Sequence, residues 1–221
     1  MLRIADLDFR VLSLQHCFGL TGGIACGKST VARSFRDVGA YVFDADQVGH
    51  EVIEPGRPAY LEVVKHFGRE ILDSAGRVDR RKLGPKVFAD LQKLRRLNAI
   101  VHGDIIARVH ELAAEQLRHD PHAVVIMDAA LIFETGLEKT LRKVIVVWCR
   151  PEQQLERLMA KTGISREEAE RRIHSQMPVE EKRRRADYQI DCSGTLEDSR
   201  AQVEKIYAEL RRMTETPRVQ E

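Results

Sequence analysis

The chain has 221 residues, 43% hydrophobic and 32% charged, with a formal net charge of +2 and four cysteines. That length holds one sizeable α/β core with inserted subdomains, and the composition excludes a largely disordered chain. So small a net charge gives no footing for nucleic acid or a membrane surface, and no stretch of about 18 apolar residues is present to span a bilayer. The start of the chain, with Asp6 and Asp8, lacks the basic and apolar regions of a secretory signal. Cys17, Cys26, Cys149 and Cys192 form no C-x-x-C pair and no Cys/His ligand spacing, so reduced thiols in a soluble cytoplasmic protein are expected.

In chain order, the first element is an apolar strand within Val11 to Leu20. It leads into Gly22-Gly23-Ile24-Ala25-Cys26-Gly27-Lys28-Ser29-Thr30, which satisfies G-x-x-x-x-G-K-[ST] at each fixed position. Such a loop turns backbone N–H groups inward around the phosphates of a nucleoside triphosphate. Lys28 reaches the β and γ oxygens, and Ser29 is placed for Mg²⁺. Val31, Phe35 and Val38 then follow at helical spacing. Ala40 to Phe43 reads as a buried strand ending in Asp44-Ala45-Asp46, at the sheet end where ligands collect in open α/β folds.

From Glu54-Pro55-Gly56-Arg57-Pro58 a helical insertion begins, with Tyr60, Val63, Val64 and Phe67 as a stripe stopped by Gly68. Asp73-Ser74-Ala75-Gly76 reads as a turn. A segment ending at Phe88 precedes a long helix striped by Leu91, Leu94, Val101, Ile105, Val109 and Leu112, which Pro121 closes. His119-Asp120-Pro121-His122 reads as a solvated turn. Ala123 to Met127 and Val144 to Val147 are apolar enough to be parallel strands covered on both faces. Between them, Leu131-Ile132-Phe133-Glu134 reads as core plus one exposed acid. Beyond Arg150-Pro151 come a helix from about Glu152 to Ala160, a turn at Thr162-Gly163, and a capping box at Ser165 to Glu168. Tyr188 to Ile190 gives a last strand, and Thr195 caps a helix carrying Val203, Ile206, Tyr207 and Leu210. The basic cluster Lys182 to Arg185 has no assigned role.

A phosphate loop serves GTPases, ATPases and small-molecule kinases alike. No N-K-x-D guanine reader is present, and Val124 to Asp128 ends in one acid followed by Ala129-Ala130, where a hydrolase would place paired acids. A kinase for a hydroxyl acceptor needs a cradle for ATP, a carboxylate near the acceptor oxygen and cations that close over the γ-phosphoryl. Asp46 or Asp44 can supply the carboxylate, with Asp46 the more chemical and Asp44 the more structural. The hairpin bearing Arg157, Lys161, Arg166, Arg171 and Arg172 can close as a lid.

Further stretches carry a resemblance: Gly19 to Ile24, Gly27 to Thr30, Asp44-Ala45-Asp46, Glu54-Pro55-Gly56, Phe67-Gly68, Val78-Asp79-Arg80, Val87-Phe88, Leu131 to Glu134, Arg157-Leu158, Ile173 with Gln176-Met177, and Ala186-Asp187 with Ile190-Asp191. From about Phe18 to Leu210 the chain resembles the dephospho-coenzyme A kinase family. The resemblance implies transfer of the γ-phosphoryl of ATP to the ribose 3′-hydroxyl of dephospho-CoA, the last step of coenzyme A synthesis, with Mg²⁺. It implies an α/β P-loop core like that of nucleoside-monophosphate kinases, with a five-stranded parallel sheet. The core would comprise about 11–50, 120–155 and 186–213, the helical acceptor-binding insertion 51–119 and the lid 156–185. The general base falls on Asp46, ATP-phosphate binding on Gly22 through Thr30 with Lys28 acting in catalysis, and acceptor binding on Asp44, Arg80 and His102. The lid contributes Arg157, Lys161 and Arg172. A monomer or weak homo-oligomer acting on small molecules alone is expected. The alternatives are another small-molecule kinase of this fold, or a paralogue that binds nucleotide without turnover.

The chain departs from the family pattern at several places. Ala25-Cys26 stands for Gly-Ser, Gly103 and Ala130 each stand for Pro, Lys161 for Arg and Cys192 for Asn. A methyl at position 25 suits a negative φ and strains a left-handed one. Cys26 reads as a neutral thiol in a Ser position, with a lowered pKa beside Lys28 as the alternative.

Overall fold

The structure, a computed structural model, describes residues 16–88 and 90–215. The chain divides into two compact units, one formed by the residues up to Asp44 and from Ala113 onward, the other by Ala45–Leu112.

The first unit is built on five parallel strands: β1 (Cys17–Gly22), β2 (Tyr41–Asp44), β3 (Val125–Asp128), β4 (Lys143–Trp148) and β5 (Tyr188–Asp191), in the spatial order β2-β3-β1-β4-β5. This is the predicted five-stranded parallel sheet, with β1 at its centre. The start of the predicted first strand, from Val11, lies outside the described residues. Each strand connects to the next by a crossover. The crossovers put α1 (Lys28–Asp37) after β1, and α7 (Pro151–Thr162), α8 (Arg166–His174) and α9 (Val179–Arg185) between β4 and β5. The short α6 (Ile132–Thr135) follows β3, and α10 (Leu196–Glu215) follows β5.

The unbroken apolar runs that predicted two-sided burial have that cause here. Phe18 and Leu20 of β1, Ile126 of β3, Ile145 and Val147 of β4 and Ile190 of β5 pack under Val31 and Phe35 of α1 and Val203, Ile206 and Leu210 of α10. On the opposite face, a Cβ added at Gly19 would lie 2.8 Å from Ile132 and Leu141 side-chain atoms, so that face is packed too. Each large side chain so buried contributes roughly 1.5–3 kcal/mol. Hydroxyl caps close two helix starts: the Ser165 hydroxyl accepts from the N–H of Glu168 at 3.3 Å, whose carboxylate turns instead to Arg171 and Arg172, and Thr195 Oγ1 accepts from the Asp198 N–H at 3.1 Å. The Asp198 carboxylate in turn accepts from Thr195 N and Oγ1, both at 2.9 Å.

The second unit is helical: α2 (Ala45–Glu51), α3 (Pro58–Phe67), α4 (Arg80–Phe88) and the first part of α5 (Leu91–His119). Its own core joins Val63 and Phe67 of α3, Ile71, and Leu83 and Val87 of α4, with Leu97, Ile100 and Val101 of α5 packed against them. Gly68 ends α3 at φ 82°, and Asp104 of α5 accepts from the Ala59 N–H at 3.1 Å near the start of α3. The turn predicted at Asp73 to Gly76 is one: Asp73 Oδ1 accepts from the N–H groups of Ala75 and Arg77, both at 2.9 Å. Asp79, part of the family-like Val78-Asp79-Arg80, accepts from the Arg81 N–H at 2.9 Å where α4 begins. At its start α2 follows β2 without a turn, and at its end the continuous helix α5 runs on into the first unit.

Candidate active site

The phosphate loop leaves the central strand β1 and ends where Gly27, at φ 101°, opens α1. Gly27 supplies no side-chain cap, and its carbonyl takes the Thr30 and Val31 N–H groups at 3.0 and 3.1 Å. The early N–H groups of α1 and the positive end of its dipole therefore suit an anion. Side chains at three loop positions would crowd neighbours. A Cβ at Gly22 would lie 3.1 Å from the Val147 Cβ, one at Gly23 2.8 Å from Gln154 Nε2, and one at Gly27 3.3 Å from Cys192 Sγ. Ser29 and Thr30 are exposed.

Ala25 has φ 59°, the one non-glycine with positive φ among the described residues. The conditional expectation is thereby resolved: the methyl sits in a left-handed conformation that costs about 1–3 kcal/mol unless its surroundings hold it. Two part-buried contacts do so. Ile24 donates its N–H to Gln176 Oε1 at 3.2 Å and accepts at its carbonyl from Gln154 Nε2 at 3.0 Å. The Cys26 thiol is buried, and its hydrogen bond with Cys149, together with burial, pushes its pKa up. The lowered-pKa alternative is overturned, because the thiol points into a core shared with Cys149 and Cys192 rather than toward Lys28. The Cys149 thiol, which receives the hydrogen bond from Cys26 and has Arg157 beside it, is shifted down.

Lys28 Nζ is paired with Asp128 Oδ1. Asp128 ends β3 and is in register with Leu20 on one side and Asp44 on the other, so two carboxylates stand at adjacent strand ends beside the loop. Asp128 was not among the residues predicted for the site. An apolar strand ending in an acid was visible, but its single acid served only as an argument against hydrolysis.

Glu134 is exposed, as its reading had it, but its carboxylate is engaged. It pairs with Lys182 Nζ at 2.8 Å and accepts from the Met177 N–H at 3.1 Å. Lys182 is fully buried and also donates to the Ala130 carbonyl at 2.9 Å, which accepts from Thr21 Oγ1 at 3.0 Å as well. These bonds use only the backbone of residue 130, so Ala in place of Pro leaves them intact. Two more of the basic cluster are likewise engaged: the Arg183 guanidinium lies 3.6 Å over the Trp148 ring, and Arg185 pairs with Glu138 at 2.6 Å and stacks on Phe133. Gln154 and Gln176 thus support the loop, and Glu134 holds the backbone at Met177, next to Gln176. The Gln176-Met177 pair was legible only as part of the resemblance.

The other predicted residues are more scattered. Arg157, on α7, donates from Nη2 to the Cys192 carbonyl at 2.9 Å, just past β5. Lys161 is exposed in the last turn of α7, where its charge suits the helix dipole. Arg172 is directed along α8 onto Glu168 at 3.0 Å. Asp46 is exposed in the first turn of α2, in the second unit. The side chains of Arg80, in α4, and His102, in α5, lie outside the described residues, as do those of Leu91 and Leu94. No group of three or more His, Cys, Asp or Glu side chains that could hold a metal ion occurs among the described residues. His122 and Asp120 are engaged with Thr214 and Arg211.

A model of the family described as dephospho-CoA kinase matches residues 16–198. The chain belongs to the dephospho-CoA kinase family. The family relatives include the dephospho-CoA kinase of Aquifex aeolicus, 47% identical over 194 residues that cover 88% of this chain and 97% of the relative. The Bacillus licheniformis dephospho-CoA kinase is 46% identical over 188 residues, covering 85% and 93% respectively. Among solved structures, a Thermus thermophilus protein superposes with TM-score 0.74 at 36% identity, covering 88% of this chain and 97% of its own. The Campylobacter jejuni dephospho-CoA kinase superposes with TM-score 0.68 at 28% identity, covering 90% and 98%. The α/β P-loop kinase fold expected for the family is the one observed.

Proposed function

We propose that this chain transfers the γ-phosphoryl of ATP to the ribose 3′-hydroxyl of dephospho-CoA, giving CoA and ADP at the last step of coenzyme A biosynthesis. The observation that carries the reading is the phosphate loop on β1, with Lys28 and Asp128 at the strand ends, in a chain of the dephospho-CoA kinase family. Lys28 exchanges Asp128 for the β and γ phosphoryl oxygens and neutralises charge as the bond to the leaving group stretches. The N–H groups of Gly22 through Thr30 hold the triphosphate. Asp46 accepts the proton of the attacking hydroxyl, while Asp44, Arg80 and His102 bind the acceptor.

The donors beside the loop fit Mg²⁺: the Ser29 hydroxyl and the Asp128 carboxylate are hard oxygen ligands of the kind this ion takes. When bound, the ion offsets charge on the phosphoryl oxygens and orients them. Arg157, Lys161 and Arg172 close over the transferring group. Because buried Lys182 roots α9 in the core of its unit, the moving part of the lid is the end of α7 together with α8, a shorter segment than 156–185. No helix among the described residues is long and apolar enough to cross a membrane, and we place the reaction in the cytoplasm, carried out by a monomer or weak homo-oligomer.

The test is the product itself. Phosphorus NMR of the reaction mixture should show a new phosphomonoester on the ribose 3′ position, and Asp46→Asn should abolish its formation while ATP still binds. Phosphorylation at another position, or turnover preserved in Asp46→Asn, contradicts the assignment.

A further inference from the structure

Within the phosphate loop, Gly23-Ile24-Ala25-Cys26 closes as a turn, with the Cys26 N–H on the Gly23 carbonyl at 3.2 Å. Its third residue, Ala25, has φ 59°, the sign that defines a type II turn and normally selects Gly. Types I and II differ chiefly by a flip of the central peptide, here the one joining Ile24 to Ala25. The flip reverses where the Ile24 carbonyl and the Ala25 N–H point. With a Cβ at position 25, the local preference is for type I. The chain's own turn chemistry therefore opposes the peptide orientation it adopts.

The contact that opposes the flip is specific. Gln154, buried on α7, donates from Nε2 to the Ile24 carbonyl at 3.0 Å, a bond that a flipped peptide would lose. Gln176, between α8 and α9, accepts from the Ile24 N–H at 3.2 Å and so fixes the preceding peptide. Gly23 makes the approach possible, since a Cβ there would lie 2.8 Å from Gln154 Nε2. Carbonyl and N–H point in opposite directions across a trans peptide. The oxygen held by Gln154 thus turns the Ala25 N–H away from Gln154, as a donor to the triphosphate.

We propose that Gln154, assisted by Gln176, is a positioning residue for ATP: it locks the Ile24–Ala25 peptide in the orientation that presents the Ala25 N–H, and this lock is what lets Ala serve at a position suited to Gly. The inference rests on ATP as the ligand of the loop, and not on the identity of the acceptor.

A double-mutant cycle between Gln154 and Ala25 tests it. ATP affinity is measured by calorimetry without acceptor, and the KM for dephospho-CoA by steady-state assay, for the parent, Gln154→Leu, Ala25→Gly and the pair. Gln154→Leu should weaken ATP binding about tenfold and leave the dephospho-CoA KM within about twofold, because it loses one neutral hydrogen bond and releases the strained turn. Adding Ala25→Gly should restore affinity to within about threefold of the parent, since Gly adopts positive φ without a Cβ penalty. Gln154→Glu, of the same shape but with an oxygen facing the Ile24 carbonyl, should weaken ATP at least as much as Gln154→Leu and be rescued less fully by Ala25→Gly, since glycine relieves the turn but not the repulsion. A purely structural role predicts lower melting temperatures with unchanged ATP affinity in the folded fraction, or strictly additive effects of the two substitutions, and either overturns the proposal. A parent that binds ATP but does not phosphorylate dephospho-CoA refutes the acceptor assignment alone, whereas a parent that binds no ATP overturns both.

Discussion

Substituting Glu134 by Gln and, separately, Lys182 by Met should destabilise the protein unequally, and the inequality follows from burial. Lys182 is 0% exposed and has two partners, Glu134 Oε1 at 2.8 Å and the Ala130 carbonyl at 2.9 Å. Glu134→Gln leaves a fully buried ammonium without its counter-charge, the situation that costs about 3–5 kcal/mol when a buried pair is broken from one side. Lys182→Met keeps most of the apolar stem. The carboxylate it leaves behind is 22% exposed and retains the Met177 N–H, and the Ala130 carbonyl retains Thr21. The loss should then be nearer 2 kcal/mol, set by hydrogen bonds to a charged group. For a chain of this length those values correspond to roughly 10 °C and roughly 5 °C in melting temperature. The double variant should be more stable than Glu134→Gln alone, because no unpaired buried charge remains. Urea unfolding at pH 7, followed by circular dichroism, supplies the comparison. Lys182→Met proving worse than Glu134→Gln, or both lying within about 0.5 kcal/mol of the parent, would refute the reasoning.

Lys28→Met should lower kcat/KM for ATP by at least about 100-fold, the scale of losing one charged stabiliser of the transferring group, while leaving the fold intact by circular dichroism. Asp198 titrates below the usual carboxylate range because it accepts from Thr195 N and Oγ1. Its stabilisation is present above the unfolded-state value of about 3.9 and is lost as pH falls through the lower folded value. The melting-temperature gap between parent and Asp198→Ala should therefore be flat above about pH 5 and shrink below about pH 4, and a gap that widens in acid contradicts this. Burial pushes Cys17 up to about 12, and Cys26 is raised by its bond with Cys149 and by burial, so neither should react with iodoacetamide at pH 8 until the chain unfolds. Peptide mass mapping of native and denatured samples gives the answer, with native alkylation of Cys26 as the contrary result.

The parts of the fold that could be read from the sequence are those governed by short-range rules. Unbroken branched runs gave the strands, the stripes at 3.6-residue spacing gave α3 and α10, and Ser165 and Thr195 marked helix starts because a hydroxyl there accepts an orphan N–H three residues on, with the reciprocal acid contact made at Thr195. The phosphate loop and its ligand class were equally plain. What escaped notice depends on pairs distant along the chain. Asp128 meets Lys28 across 100 residues, and Gln154 meets Ile24 across 130. Lys182 was left without a role in its basic cluster because nothing local distinguishes a buried Lys from a solvated one. The pairing of Glu134 with Lys182 went unread for the same reason. Ala25 shows the converse: the sequence posed the question of its φ, and the supporting glutamines that answer it belong to other elements.

The most direct measurement of the account is acceptor choice by the purified chain. With ATP and Mg²⁺ present, coupled ADP release is recorded with dephospho-CoA, AMP and a panel of hydroxylated metabolites at equal concentration. The account predicts that dephospho-CoA supports turnover at least about 100-fold faster in kcat/KM than any other acceptor, a difference of ~2.7 kcal/mol in transition-state binding. Preferential turnover of AMP or another hydroxyl acceptor, or ATP binding with no CoA formed, would contradict it.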